Sequence, residues 1–212
     1  MKLFLDTADV KSVKARLSTG LISGITTNPT LIFKSGKHPQ TVYQELIKLG
    51  IDDISMEVMG DSEDELFKNA MGHVKTYAEK ATIKLPCTID GLKACKRLSA
   101  INVRTNVTLI FSPAQAILAS LAGATYISPF IGRMDDNSLD GMKLINDISN
   151  TLRSDTKILA ASIRDPQSVG TAFALGADIC TVPADVFDRM YNHVLTDKGL
   201  EQFERDNAAT SD

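Results

Sequence analysis

A lysine stands where a strand interior is expected. In ATIKLPCT, residues 81–88, Ile83 and Leu85 are apolar and Thr82 and Thr88 favour extended backbone, yet Lys84 lies among them. Short apolar strand segments are normally buried, and lysine is rarely buried without a partner. A primary amine that has lost its proton adds to carbonyls, and the iminium it forms draws electrons from the neighbouring carbon–carbon bond. Burial favours the neutral amine, whereas nearby carboxylates favour the ammonium. Those same carboxylates can move protons to and from hydroxyl groups. Two readings of Lys84 therefore stand side by side: a nucleophile, or one member of a structural ion-pair network.

The elements that must hold such a group follow a repeating beat. Apolar and β-branched runs predict strands at residues 3–6, 22–28, 53–58, 81–86, 104–110, 125–130, 157–162 and 177–183. Helical spacing and punctuation fill the gaps. SPAQAILASLAG places Ser112 as N-cap, Pro113 at the first helical position, Gln115 in a capping box and Gly123 at the end. DPQSVGTAFALG repeats the plan with Asp165, Pro166 and Gly176, and DSEDELFKNAMGHV opens on a Ser62–Glu65 capping box with Leu66, Ala70 and Val74 in one stripe. Met142, Ile145, Ile148 and Leu152 share the face of another helix. Alternating strands and helices admit a closed (β/α)8 barrel or an open doubly wound sheet. An open sheet would usually carry a glycine-rich phosphate loop after its first strand, and LDTADV has no glycine. The barrel is the expected fold, one domain over residues 1–212, with an extra helix and tail from about residue 195. Leu200 and Phe203 would give that helix an apolar edge to dock on the barrel or on a neighbouring subunit.

Strand parity then sorts the side chains into those facing the helices and those facing the barrel interior. Ile54, Met56 and Val58 suit the helix side, leaving Ser55 and Glu57 inward; Ile83 and Leu85 leave Thr82 and Lys84 inward. Leu3 and Leu5 leave Phe4 and Asp6 inward, and Val107 and Leu109 leave Asn106 and Thr108. Thr26 with Asn28, Tyr126 with Ser128, and Ala160 with Ser162 follow the same scheme. The inward polar set, Asp6, Asn28, Glu57, Lys84, Thr108, Ser128 and Ser162, gathers at the C-terminal ends of the strands, where barrels of this kind place their chemistry. One buried polar residue is ordinarily a satisfied core residue. An amine and two carboxylates converging on one rim are costly to bury without purpose.

Composition narrows the partners. The hydrophobic share of 43% suits a globular protein, and a net charge of −3 implies no broad basic surface for nucleic acid. MKLFLDTADV has a single lysine and an apolar run broken by Asp6, too short for a signal peptide, and no later run is long enough to span a membrane. Cys87, Cys95 and Cys180 form no CxxC and read as small buried hydrophobes with free thiols in a reducing cytosol. His38, His73 and His193 lack metal spacing, so no metal is expected. Asp135 and Asp136 read as an exposed loop end or as ion pairs with Arg133, rather than as a Mg²⁺ site.

Six ordered blocks, FLDTAD, GITTNPTLI, IKLP, NVTLIFS, ISPFIGR and LAASIR, resemble the transaldolases, in particular the short-chain branch that includes fructose-6-phosphate aldolase. The resemblance runs from Phe4 to about Pro183 and implies a (β/α)8 TIM barrel of class I aldolase type. It implies a Schiff-base nucleophile at Lys84 and a general acid/base at Asp6, with Glu57 and Thr108 holding a proton-shuttling water. It places Asn28 and Ser128 on the hydroxyls of a dihydroxyacetone unit, and Arg133, Ser162 and Arg164 on the substrate phosphate. Guanidinium forks match a phosphate well. The aldolase branch carries glutamine in place of Glu57 and tyrosine in place of Phe130, so this chain sides with transaldolase. A tyrosine hydroxyl can hold and activate water, favouring release of free dihydroxyacetone, whereas a phenyl ring cannot. The implied role is carbohydrate metabolism in the non-oxidative pentose phosphate pathway, in the cytoplasm, without metal or organic cofactor. The implied partners are sugar phosphates and further copies of the chain, commonly in a decamer. A fructose-6-phosphate aldolase that releases free dihydroxyacetone is the runner-up, and a non-catalytic sugar-phosphate binding protein is the alternative of another class.

Overall fold

Parallel strands require crossover connections, and in this chain the crossovers are short helices that leave the sheet free to close. The computed structural model describes residues 1–210. Its strands are β1 (Lys2–Asp6), β2 (Ile22–Thr26), β3 (Ile54–Glu57), β4 (Ala81–Pro86), β5 (Thr105–Ile110), β6 (Tyr126–Pro129), β7 (Lys157–Ala160) and β8 (Ile179–Val182). They pair in sequence order, all parallel, and β8 pairs back onto β1. The helices are α1 (Val10–Leu17), α2 (Pro29–Ser35), α3 (Pro39–Lys48), α4 (Glu63–Tyr77), α5 (Ile89–Ser99) and α6 (Pro113–Leu121), followed by α7 (Ile131–Asp136), α8 (Gly141–Thr151), α9 (Pro166–Ala174), α10 (Ala184–Arg189) and α11 (Val194–Ala209). The expected (β/α)8 barrel is the observed one. Among the described residues no helix is long and apolar enough to cross a membrane.

Local chemistry explains where these elements begin. Ser112 accepts from the Gln115 N–H at 3.2 Å and Asp165 from the Ser168 N–H at 2.9 Å, each followed by proline in the first turn. In α4 and α6 the return bond of the capping box reaches one residue further back than expected: Glu65 accepts from the Asp61 N–H and Gln115 from the Phe111 N–H. Gly123 and Gly176 follow their helices at φ +85° and +105°, a conformation in which a Cβ would be strained.

Parity holds for β1, β3 and β4 and fails on two others. On β5, Val107 and Ile110 face the helices, because a bulge shifts the register between them and Leu109 takes φ +61°. Leu109 is thereby turned to the barrel mouth beside Thr108 rather than outward as expected. On β7, Leu159 and not Ala160 points inward; it packs with Phe4, Tyr126 and Ile179 in a small cluster that fills the barrel axis. Gly24 lies against the Phe4 ring, where a Cβ would come within 2.5 Å of the ring carbon Cζ.

The N-terminal end of the barrel is closed by a buried carboxylate. Asp53 accepts hydrogen bonds from the Tyr126 hydroxyl at 2.7 Å, the Thr82 hydroxyl at 2.7 Å and the Arg104 guanidinium at 2.9 Å. Burial, followed by the Asp53 charge, pushes the Tyr126 phenol well above its ordinary value. Replacing Asp53 by alanine should strand all three donors and cost about 3–5 kcal/mol of stability, the usual penalty for removing one partner of a buried charge pair. Urea unfolding would register this as a lower midpoint with an unchanged slope, and an unchanged midpoint would refute it.

Helix α11 stands apart from this packing. None of its residues is buried, and Leu200 and Phe203 are exposed, so its apolar edge is not docked on the barrel of its own chain.

Candidate active site

The in-register pairing of β3 with β4 sets Glu57 beside Lys84. Lys84 is 5% exposed, and its Nζ donates to the Thr27 carbonyl at 3.0 Å and to Glu57 Oε2 at 3.2 Å. The amine is thus held from both sides, with its stem enclosed by the barrel.

Asp6 ends β1 opposite Thr26 of β2, whose hydroxyl donates to Asp6 Oδ1 at 2.7 Å. Burial pushes the Asp6 carboxyl above its ordinary value, opposed by the Thr26 hydrogen bond and by the positive charge of Lys84. Glu57, a like charge, adds to the rise.

The remaining residues form the walls. Asn28 lies just past β2 as the N-cap of α2, not on the strand as expected; its Oδ1 accepts from the Leu31 N–H at 2.9 Å, which leaves its amide hydrogens to donate elsewhere. Ser128 donates to Asn106 Oδ1 at 2.7 Å, and Asn106 donates to Ser55 at 3.1 Å, a buried chain that fixes the Ser128 rotamer. Thr108 is different. Its hydroxyl is buried and makes no hydrogen bond within the described residues. The Phe130 ring packs edge-on against Phe111 at 6.0 Å, and the Arg133 guanidinium lies 5.0 Å from the Phe130 ring centre.

Ser162 reaches the site by another route than strand alternation. Strand β7 ends at Ala160, and Ser162 takes φ +60°, which turns its side chain into the mouth. Nearby, Gly132 leaves no space for a side chain: a Cβ there would lie 2.4 Å from the Ser162 carbonyl oxygen and 2.7 Å from Arg164 Nε. Arg164 forks onto Asp136, whose carboxyl it holds below the usual carboxylate range. Asp135 and Asp136, read as an exposed loop end or as ion pairs with Arg133, are exposed at the end of α7; the ion pair of Asp136 runs to Arg164, while Asp135 accepts from the Gly141 N–H. Both partners project from helix α7 and the β7–α9 loop, a meeting that no sequence spacing reveals.

A cavity of about 130 Å³ at the C-terminal mouth has Asp6, Asn28, Lys84, Ser128, Phe130, Arg133 and Ser162 in its wall. A second recess of about 200 Å³ shares Asn28, Lys84, Phe130 and Arg133 and adds Glu57 and Thr108. Of the sequence-derived candidates, Arg164 alone lines neither and stands at the rim. A larger groove of about 920 Å³ runs between α2, α3 and α4 and meets the site at Pro29 and Glu57. Two participants escaped the sequence reading. The Thr27 carbonyl carries no residue-type signal, whereas Thr181 is legible by parity with inward Ile179 on β8.

Comparison with known proteins places the chain in a family. A family model described as Transaldolase/Fructose-6-phosphate aldolase matches residues 3–212. A probable transaldolase of Caulobacter vibrioides (strain NA1000 / CB15N) is 48% identical over 213 residues, covering 99% of this chain and 98% of that protein. One of Lactiplantibacillus plantarum (strain ATCC BAA-793 / NCIMB 8826 / WCFS1) is 44% identical over 209 residues, covering 97% of this chain and 96% of that protein. Among solved structures, inosine 5′-monophosphate dehydrogenase from Legionella pneumophila superposes with a TM-score of 0.63 at 17% identity, over 88% of this chain and 58% of that chain, a likeness of fold alone. With the match extending from the first strand through the terminal helix, the chain belongs to the transaldolase/fructose-6-phosphate aldolase family.

Proposed function

We propose that the protein is a transaldolase. It moves a dihydroxyacetone unit from a ketose phosphate, sedoheptulose 7-phosphate or fructose 6-phosphate, to an aldose phosphate, glyceraldehyde 3-phosphate or erythrose 4-phosphate. The observation that carries this reading is the enclosure of the Lys84 amine 3.2 Å from Glu57, in a cavity it shares with Asp6. Lys84 attacks the ketose carbonyl at C2, the carbinolamine loses water, and an iminium remains. Glu57, with a water held at the otherwise unpartnered Thr108 hydroxyl, carries the protons of these steps. Asp6 then takes the C4 hydroxyl proton, the C3–C4 bond breaks, and its electron pair passes into the iminium to give an enamine. The aldose phosphate leaves. The acceptor aldehyde reverses the sequence, regaining its hydroxyl proton from Asp6.

The walls fit this substrate. The free amide hydrogens of Asn28 and the fixed Ser128 hydroxyl suit the dihydroxyacetone hydroxyls, and Arg133 with Ser162 suits the phosphate. Arg164 joins them by exchanging Asp136 for the phosphate, which carries more charge in the same fork geometry. Phe130 presents carbon where a water-activating hydroxyl would otherwise stand, so the enamine waits for an acceptor. The exposed apolar residues of α11 support assembly with further copies of the chain, and the free state of Cys87, Cys95 and Cys180 supports a reducing, cytoplasmic setting.

The test is a coupled assay with fructose 6-phosphate, with and without erythrose 4-phosphate, beside borohydride trapping. Turnover should require the acceptor, and trapping should leave an adduct on Lys84. Equal turnover without acceptor, with free dihydroxyacetone released, would identify an aldolase. Absence of any adduct would leave only a binding protein.

A further inference from the structure

Three neighbouring strands each turn one polar side chain inward at the same corner of the barrel. Asp6 comes from β1, Thr26 from β2 and Thr181 from β8. The two threonines are almost fully buried, at 3% and 2% exposure. The Thr26 hydroxyl lies 2.7 Å from Asp6 Oδ1 and also 2.7 Å from the Thr181 hydroxyl. A hydroxyl owns one hydrogen and two lone pairs. Because a carboxylate only accepts, Thr26 must spend its hydrogen on ionised Asp6, and its contact with Thr181 must then be an acceptance. The direction of the whole chain, Thr181 to Thr26 to Asp6, follows from the charge at its end.

We propose that Thr26 and Thr181 form a switchable hydrogen-bond chain that positions the Asp6 carboxyl and serves both of its protonation states. This rests on the role given to Asp6 above. When Asp6 takes the substrate hydroxyl proton, it becomes a donor. Thr26 can then accept from it and turn its own hydrogen to Thr181, whose hydrogen turns to the cavity that Thr181 lines. No proton travels along it: each threonine keeps its own hydrogen and only rotates. Thr26 and Thr181 are positioning residues, since they act on the substrate through Asp6.

The chain is one of several influences on Asp6, and the others are identifiable. Lys84 from β4 and Glu57 from β3 act on it through their charges, and Arg133 from α7 lines the same cavity. All three remain when a threonine is changed. Charge-assisted donation from Thr26 favours ionised Asp6, and donation from Thr181 polarises the Thr26 hydroxyl in the same sense.

The experiment is the pH dependence of kcat with fructose 6-phosphate and erythrose 4-phosphate, for the wild type, Thr26→Val, Thr26→Ser, Thr181→Val and the double valine variant. Thr26→Val should move the acid limb upward by about one pH unit, the effect of losing one hydrogen bond to a charged group. Thr26→Ser keeps the hydroxyl and should keep the wild-type midpoint. Thr181→Val should move the limb upward by less, and only while Thr26 is present; in the Thr26→Val background it should add nothing. Borohydride adducts on Lys84 should form in every variant, separating an effect on Asp6 from loss of the folded site. Should Thr26→Val fail to fold, the Thr181→Val shift, present or absent, decides alone. A serine variant displaced as far as the valine variant, or a Thr181→Val limb that coincides with the wild type, would overturn the chain while leaving the role of Asp6 intact. Wild-type kcat in Asp6→Asn would remove that role, and the chain with it.

Discussion

Lys84→Met should abolish turnover and leave no adduct after borohydride treatment with fructose 6-phosphate, while the protein should remain folded. Methionine has nearly the length of the lysine stem and can occupy the same barrel interior, but it has no nitrogen to form an iminium. The expected loss exceeds the roughly 10²–10⁴-fold cost of removing a general acid or base, because without the covalent link there is no electron sink for the breaking bond. The fold should tolerate the change. Lys84 brings a buried nitrogen whose partners are Glu57 and the Thr27 carbonyl, and replacing a buried ion-pair member by an apolar group of similar volume carries two opposing effects. Glu57 loses its partner, but it borders the recess at the mouth and keeps access to water there. Circular dichroism and subunit assembly should match the wild type. Measurable transfer by Lys84→Met would exclude the Schiff-base route.

Asp6→Asn separates activity from stability. The amide cannot take the substrate hydroxyl proton, so kcat should fall by about 10²–10⁴-fold, whereas iminium formation at Lys84 should still be trapped. Stability should move the other way at neutral pH. Burial raises the Asp6 carboxyl above the unfolded value of 3.8, so the native state binds its proton more readily than the unfolded chain. The stabilising contribution of Asp6 is therefore complete below pH 3.8 and is lost as pH rises through the higher folded value. Above that value the wild type carries a buried charge that asparagine lacks. Thermal unfolding should give Asp6→Asn the higher Tm at pH 7, with the difference closing as the solution is acidified. A lower Tm at pH 7 would contradict this account. The trade is typical of a site in which a charged group is enclosed for chemistry at the expense of the fold.

The same balance of forces accounts for how much could be read from the residues. The barrel was legible because each β/α unit announces itself locally: a short β-branched run, then a capped helix such as the one opened by Ser112 and Pro113 and followed by Gly123. Asp6, Glu57, Lys84 and Thr108 were legible because a polar residue at an inward parity position near a strand's end has nowhere to go but the mouth. Parity failed where the backbone left the ideal pleat. The bulge at Leu109 shifts the outward position to Ile110, and the left-handed turn at Ser162 brings that side chain to the site from a register the alternation rule does not predict.

Residue types and their spacing thus determined the strand and helix order, the end of the barrel where the polar side chains gather, and the grouping of the amine with two carboxyls there. Closure of the barrel decided everything that links residues distant in the chain: the Thr27 carbonyl on Lys84, the Thr181 hydroxyl behind Thr26, and the pairing of Asp136 with Arg164 rather than with its near neighbour Arg133. The physical reason is that alternation and capping are short-range and act through the residue's own backbone. Hydrogen-bond direction, desolvation and ion pairing depend on which strands stand side by side, and that is settled only when β8 meets β1.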